Sequence, residues 1–190
     1  MAEGRATGSL HIDRDRIRTA HEGRLASWPA DPRPLTIRAE VAVIESHRKT
    51  SRVGTFTIES DEGAIVGGEG TAPTPLSYFT SAIGLAVLTD LVRAFAVFEL
   101  PVDDLRLAIE AEFPLDAKYG SGVGSVAADA VRYTVDIAGA GGASRERVLE
   151  AIAWAEHACH AVASLREPVP VEATYRLDGE TVALPDPHPA

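Results

Sequence analysis

The chain contains a single cysteine, Cys159, so no intramolecular disulfide can form and no four-cysteine zinc site can be built. Any thiol chemistry must use that one sulfur or borrow a second from another molecule. Basic residues are also few: 18 Lys and Arg stand against 28 Asp and Glu, a net charge of −10. Without a basic surface to neutralise phosphates, nucleic acid is not an expected partner. The basic residues that do gather, in HIDRDRIR and SHRKTSR, are mixed with acids or flank β-rich segments, and they read as solvated faces. No apolar run reaches the roughly 18 residues of a membrane span, and MAEGRATGSLHIDRDR lacks the basic-then-apolar pattern of a signal peptide. A cytoplasmic protein with no membrane partner is the resulting expectation.

What is present reads as one folded unit. With 190 residues, 45% of them hydrophobic, a single domain over 1–190 is expected, with flexible ends at about 1–8 and 185–190. WPADPRP carries three prolines and reads as an irregular connection. LTIRAEVAVIE, from Leu35, alternates as a half-buried strand, and RVGTFTIES reads as a second strand, joined to it by a turn in HRKTS. HIDRDRIR offers a short edge strand. From Leu76 to Glu99 the apolar residues Leu76, Phe79, Ile83, Val87 and Leu91 recur at helical spacing, while Leu85, Leu88, Val92 and Phe95 cover more of the circumference. That is the pattern of a long buried central helix, ended by Leu100-Pro101.

DLRLAIEAEFPLD and SVAADAVRYTVDIAG alternate as two long strands paired across KYGSGVG. Ser144 is placed to cap a second, amphipathic helix over RERVLEAIAWAEHACHAVASL, with Val148, Ile152, Ala155 and Cys159 on one stripe. Pro168 and Pro170 stop it, and VEATYRLDG closes the chain as a strand. The order implies an α+β fold, with helices packed on antiparallel sheets. A central helix apolar nearly all round needs more cover than one sheet and one helix supply, which favours a homodimer.

Several side chains are candidates for chemistry. Ala82, Ala86, Asp90 and Arg93 share one helical stripe, so that Asp90 could serve as an acid and Arg93 as an anion anchor; the alternative is a surface ion pair near the helix end. Cys159 lies between His157 and His160, where imidazole could tune or deprotonate a thiol; the alternative is a buried, inert cysteine. The His-x-x-His spacing has no accompanying carboxylate motif, and neither a metal nor a cofactor is expected. Gly67, Gly68 and Gly70 lack the Lys-Ser/Thr of a phosphate loop and read as turn residues. Trp154, Tyr78 and Phe79 read as packing aromatics.

The segment GGEGTAPTPLSYFTSAIGLAVLT resembles the GG…PxPxE-LLLAALxxC segment of the OsmC/Ohr family (osmotically inducible and organic hydroperoxide resistance proteins), and AEHACHAVASL resembles its second-cysteine helix. The resemblance implies an intertwined α+β homodimer. In the family, two cysteines, an arginine and a glutamate reduce organic hydroperoxides. With Pro75 as the loop proline, the peroxide-attacking cysteine falls on Ala86 and the glutamate on Leu76. The second cysteine falls on Cys159 and the proline after it on His160, while the arginine corresponds to Arg24 or Arg52.

The resemblance thus implies a scaffold without the two-cysteine site, since alanine offers neither nucleophile nor redox step. A pocket at the dimer interface around Leu76, Tyr78, Ala82 and Ala86 would bind or act on a small hydrophobic molecule. The alternatives are a hydroperoxide reductase using Cys159 alone with an external thiol, and a non-redox catalyst using Asp90, Arg93 or His160.

Overall fold

The computed structural model describes residues 10, 12–30, 34–120, 124–167 and 169–185. Its first element is a helix, α1 (Arg14–Ser27), where the sequence reading placed an edge strand in HIDRDRIR. The determinants are local. The Asp13 side chain accepts a hydrogen bond from the Arg16 amide at 3.0 Å and closes the first turn, and Asp15 pairs with Arg18 one turn on at 2.8 Å. α1 buries no residue completely, and an ion pair from Arg18 to Glu99 ties it to the rest of the chain. Residues 31–33 of the proline-rich connection lie outside the described residues, as do residues 1–9 and 186–190, which include nearly all of the ends expected to be flexible.

Strands β1 (Glu40–Glu45), β2 (Arg48–Val53) and β3 (Phe56–Ser60) form an antiparallel meander. The strand expected from Leu35 begins only at Glu40, and HRKTS is not a turn. Its last four residues open β2, the central strand, where Lys49 pairs with Val43 on one side and Ser60 on the other. The turns lie at Ser46-His47 and Gly54-Thr55, where Ser46 (φ 49°) and Gly54 (φ 60°) adopt the left-handed conformation that two-residue hairpin turns require. The apolar side chains of this sheet stay open to solvent, with Val43 68% and Phe56 74% exposed.

Helix α2 (Pro75–Val97) starts where Thr74 accepts from the Ser77 amide at 3.2 Å, with Pro75 in the first turn, where its missing N–H costs nothing. Its end is a Schellman closure: Glu99 turns left-handed (φ 57°), the Leu100 amide donates to the Phe95 carbonyl (2.8 Å), and the Glu99 amide to that of Ala96 (3.2 Å). Leu100 is thereby folded back into the core. By length and composition α2 could span a membrane, contrary to the sequence reading. It is a core helix instead, because Ile83, Val87, Asp90, Leu91, Ala94 and Phe95 are buried within the chain. Leu76 and Phe79, in its first turns, and Leu85, on the opposite side, are exposed in a single copy.

β4 (Asp104–Glu112) and β5 (Ala130–Ala138) pair antiparallel over nine positions, from Asp104↔Ala138 to Glu112↔Ala130. The connection carries a short helix, α3 (Asp116–Tyr119), and residues 121–123 lie outside the described residues. Leu105, Leu107, Tyr133, Val135 and Ile137 turn toward the core, which is the face their alternation dictates. Ser144 then caps α4 (Arg145–Ala158), accepting from the Arg147 amide at 3.3 Å. The expected second helix is interrupted: the chain breaks at Cys159 and resumes as α5 (His160–Arg166). The closing segment is not one strand but a hairpin, β6 (Tyr175–Leu177) and β7 (Glu180–Val182), around Asp178-Gly179.

The core is a single cluster in which α2 contributes Val87, Leu91, Ala94 and Phe95, α4 contributes Ala151 and Ala155, and Cys159, Val162 and Leu100 complete it. The architecture is α+β, with antiparallel sheets and helices, as the element order implied.

Candidate functional site

Cys159 occupies the break between α4 and α5. Its backbone is extended (φ −76°, ψ 106°), and its carbonyl accepts the first bond of α5 from the Ala163 amide at 2.9 Å. The thiol is 1% exposed. Burial pushes its pKa up, and the nearby Asp90 carboxylate pushes it further up, outweighing the Ala161 and Val162 amides that pull it down. Cys159 is therefore a protonated thiol beside a carboxylate. His157 and His160 are both exposed. Among the described residues no cluster of His, Cys, Asp and Glu could hold a metal ion.

Asp90 is 8% exposed, deep on α2, and pairs with Arg93 one turn later. The Arg93 guanidinium lies over the Trp154 ring, 5.2 Å from its centroid. Trp154 in turn meets Phe98 and His21 edge-on, at 6.3 and 5.8 Å. Asp90 and Arg93 are thus a partly desolvated pair wedged between α2 and α4, and not a surface pair at a helix end. A second polar chain runs beside it: the Tyr133 hydroxyl donates to Glu156 at 2.5 Å, and Glu156 pairs with Arg166 at 3.3 Å. Burial first, then the Glu156 carboxylate, pushes the Tyr133 pKa up to about 12.

A cavity of about 880 Å³ opens between the amino-terminal half of α2, the segment after β4, the start of β5, and α5. Leu76, Phe79, Ile83, Phe113, Val131 and Val162 form much of its wall. Of the four pocket residues expected from the sequence, only Leu76 lines it. Tyr78 donates its hydroxyl to the Glu59 carbonyl at 2.8 Å and ties α2 to β3, Ala82 is exposed, and Ala86 packs against the core cluster that contains Cys159. Leu76 and Ala86 are ten residues apart on one helix, about 15 Å along its axis, so one chain alone does not bring them together. Arg24 projects beside α2, whereas Arg52 pairs with Glu40 on the open sheet.

One residue that organises the region was not read from the sequence. Asp61 is 2% exposed and accepts from the amides of Glu62 (2.8 Å), Glu69 (3.2 Å) and Thr71 (3.1 Å), and from the Thr71 hydroxyl (3.0 Å). The backbone amide of Thr71, then that of Glu62, holds its carboxyl down at about 2. Asp61 curls the loop that delivers α2, and Gly68 is required in that curl because an added Cβ would collide with the Glu62 carbonyl. Amides that in a phosphate loop would face an anion are here turned onto a side chain of the protein. The signal available was an Asp set ten residues ahead of a threonine across a glycine-rich loop.

The family model for OsmC-like protein matches residues 68–174, from the Asp61 loop through α5. No curated protein sequence matches the chain. Among solved structures, the fold is similar to an OsmC-like protein from Mycoplasma pneumoniae (TM-score 0.59, 13% identity, covering 72% of this chain and 91% of that one). It is also similar to an organic hydroperoxide resistance protein from Elizabethkingia anophelis (0.52, 13%, 70% and 89%). A third is an organic hydroperoxide resistance protein OsmC, described as a predicted redox protein, from Legionella pneumophila (0.50, 15%, 70% and 91%). At these identities the structures speak for the fold alone, and with the family model spanning more than half of the sequence, the chain belongs to the OsmC-like family.

Proposed function

We propose that this OsmC-like chain does not carry out two-cysteine hydroperoxide reduction and instead binds a small hydrophobic molecule, as a cytoplasmic homodimer, in the cavity bordered by Leu76. The observation that carries the reading is the cavity itself, about 880 Å³ with a mostly aliphatic and aromatic wall that Lys118, Asp129 and Arg166 also border. On this reading Ala86 and Leu76 replace the attacking sulfur and the carboxylate, and neither can take part in proton or electron transfer. The state of Cys159 supports it. A protonated, buried thiol paired with Asp90 disfavours a one-cysteine peroxidase, which needs a thiolate within reach of peroxide and an external thiol to complete each cycle.

The homodimer is supported by the apolar surface that one copy leaves open. Leu35, Ile37, Val41, Val43 and Phe56, on and before the meander, are each more than half exposed, more than a stable monomer leaves uncovered.

Native mass spectrometry of the purified chain tests both parts. A dimer mass with a retained small molecule is expected, along with an increased melting temperature on adding apolar ligands. No bound molecule and no thermal shift across an apolar series would remove the binding role. Organic hydroperoxide consumption that is lost in Cys159→Ser would establish the thiol peroxidase instead.

A further inference from the structure

A second cleft, of about 620 Å³, lies between α1 and the carboxyl-terminal half of α2, and it shares no lining residue with the larger cavity. Its floor is aliphatic: Ile17 and Ala20 from α1 face Leu85, Leu88 and Val92 from α2. The charged groups that line it, Arg24 and Arg93, are both cationic, with His21 beside them, and among the described residues no carboxylate lines it. That is unusual company in a chain of net charge −10. Each arginine is stacked on one of the chain's two tryptophans, Arg24 over Trp28 at 5.2 Å and Arg93 over Trp154 at 5.2 Å. Stacking fixes a guanidinium plane while leaving its edge donors available. The Nε of Arg93, moreover, is buried without an acceptor among the described residues, on the guanidinium that faces the cleft.

We infer that this cleft is a binding site for an apolar monocarboxylate, whose hydrocarbon body lies on Leu85, Leu88 and Val92 and whose carboxylate is held by Arg24 and Arg93. The charge balance selects a monoanion. Arg93 is already neutralised by Asp90, so among the described residues the cleft carries about one uncompensated positive charge, from Arg24, and a phosphate dianion would exceed it. The aliphatic floor selects an apolar body over a sugar, because Thr89 is the one hydroxyl among the lining residues. The inference is independent of the Leu76 cavity.

Both tryptophans lie under the proposed carboxylate anchors, so intrinsic fluorescence of the full chain is the readout. Titration with octanoate is expected to give a saturable change, 1-octanol to bind at least about tenfold more weakly, and octylamine not to bind. Arg24→Gln, on an exposed helix position, is expected to weaken octanoate about tenfold, while Arg24→Lys retains most of the affinity because it retains the charge. Octanol or octylamine matching octanoate, no saturable octanoate binding, or an unchanged affinity in Arg24→Gln would each overturn the inference. So would an octanoate affinity that falls in Leu76→Phe and not in Arg24→Gln, since that places the carboxylate in the larger cavity. Loss of ligand retention in Leu76→Phe alone bears on the cavity, and loss of octanoate in Arg24→Gln alone bears on the cleft, so the two readings fail separately.

Discussion

Cys159 provides the sharpest test of the chemistry, because its reactivity with a disulfide reagent at pH 7 follows from two quantities. The first is ionisation. A free cysteine with a pKa near 8.5 is about 3% thiolate at pH 7. Burial and the Asp90 carboxylate push the Cys159 pKa up, so its thiolate fraction is smaller still. The second is access. The side chain is 1% exposed and packs with Leu91, Phe95 and Val162, so the α4–α5 junction must open before a reagent arrives. A local opening that costs about 2 kcal/mol contributes a further factor of about 30.

Together these predict labelling at least about thirtyfold slower in the native chain than in the same chain in urea, read by the absorbance of the released thiolate. Native labelling within tenfold of the unfolded rate would refute the reasoning and return Cys159 to the list of nucleophiles. Asp90→Asn separates the two contributions. Removing the charge that raises the thiol pKa shifts the pH profile of native labelling to lower pH while the access factor persists, and a profile that stays put means that the two side chains are not coupled.

The remaining predictions concern stability. Asp61 has a folded pKa of about 2 against an ordinary 3.8, so its contribution is present above 3.8 and lost as pH falls from there toward 2; Asp61→Asn should melt lower at neutral pH and lack that acid-dependent step. Tyr133 has a folded pKa of about 12 against an ordinary 10.0, so the unfolded chain ionises first and stability declines as pH rises from 10 to 12. Denaturant midpoints of Tyr133→Phe should be flatter across that window and about 1 kcal/mol lower at pH 7, where Glu156 loses its donor. Gly68→Ala should cost about 2 kcal/mol or more and lower the thermal midpoint, because the new methyl meets backbone rather than a movable side chain; an unchanged midpoint would mean that the Asp61 loop is not tightly packed.

How much of this was legible in the sequence depended on whether one copy of the chain buries the element. β4 and β5 alternate against α2, so their nine-residue pairing was written in the apolar residues. β1 to β3 have no buried face in a single chain, so alternation constrained nothing there, and the left-handed Ser46 and Gly54 decide where the strands turn. α1 buries nothing completely, and its signal was a capping aspartate and charge pairs at three-residue spacing rather than an apolar stripe. Nothing in AEHACHAVASL opposes a continuous helix, so the break at Cys159 is imposed by packing: it is the conformation that places both Cys159 and Val162 in the core.

The stripe of Ala82, Ala86, Asp90 and Arg93 shows where sequence periodicity stops being informative. Spacing put Asp90 and Arg93 one turn apart, but their depth was set elsewhere, by the left-handed Glu99 that turns Leu100 back into the core and by Trp154, which α4 lays against the guanidinium. Those two features convert what resembled a solvated helix end into a partly desolvated pair. An ion pair in that setting is costly to separate, so Asp90 stays put beside the one sulfur in the chain. A fixed negative charge keeps a neighbouring thiol protonated, the reverse of what a nucleophilic cysteine requires. The same pair leaves Arg93 neutralised and held over Trp154, so the positive charge of the α1–α2 cleft comes from Arg24. The helix thus presents a carboxylate to its own core and a guanidinium to the cleft, an arrangement suited to holding an anion and opposed to attacking a peroxide.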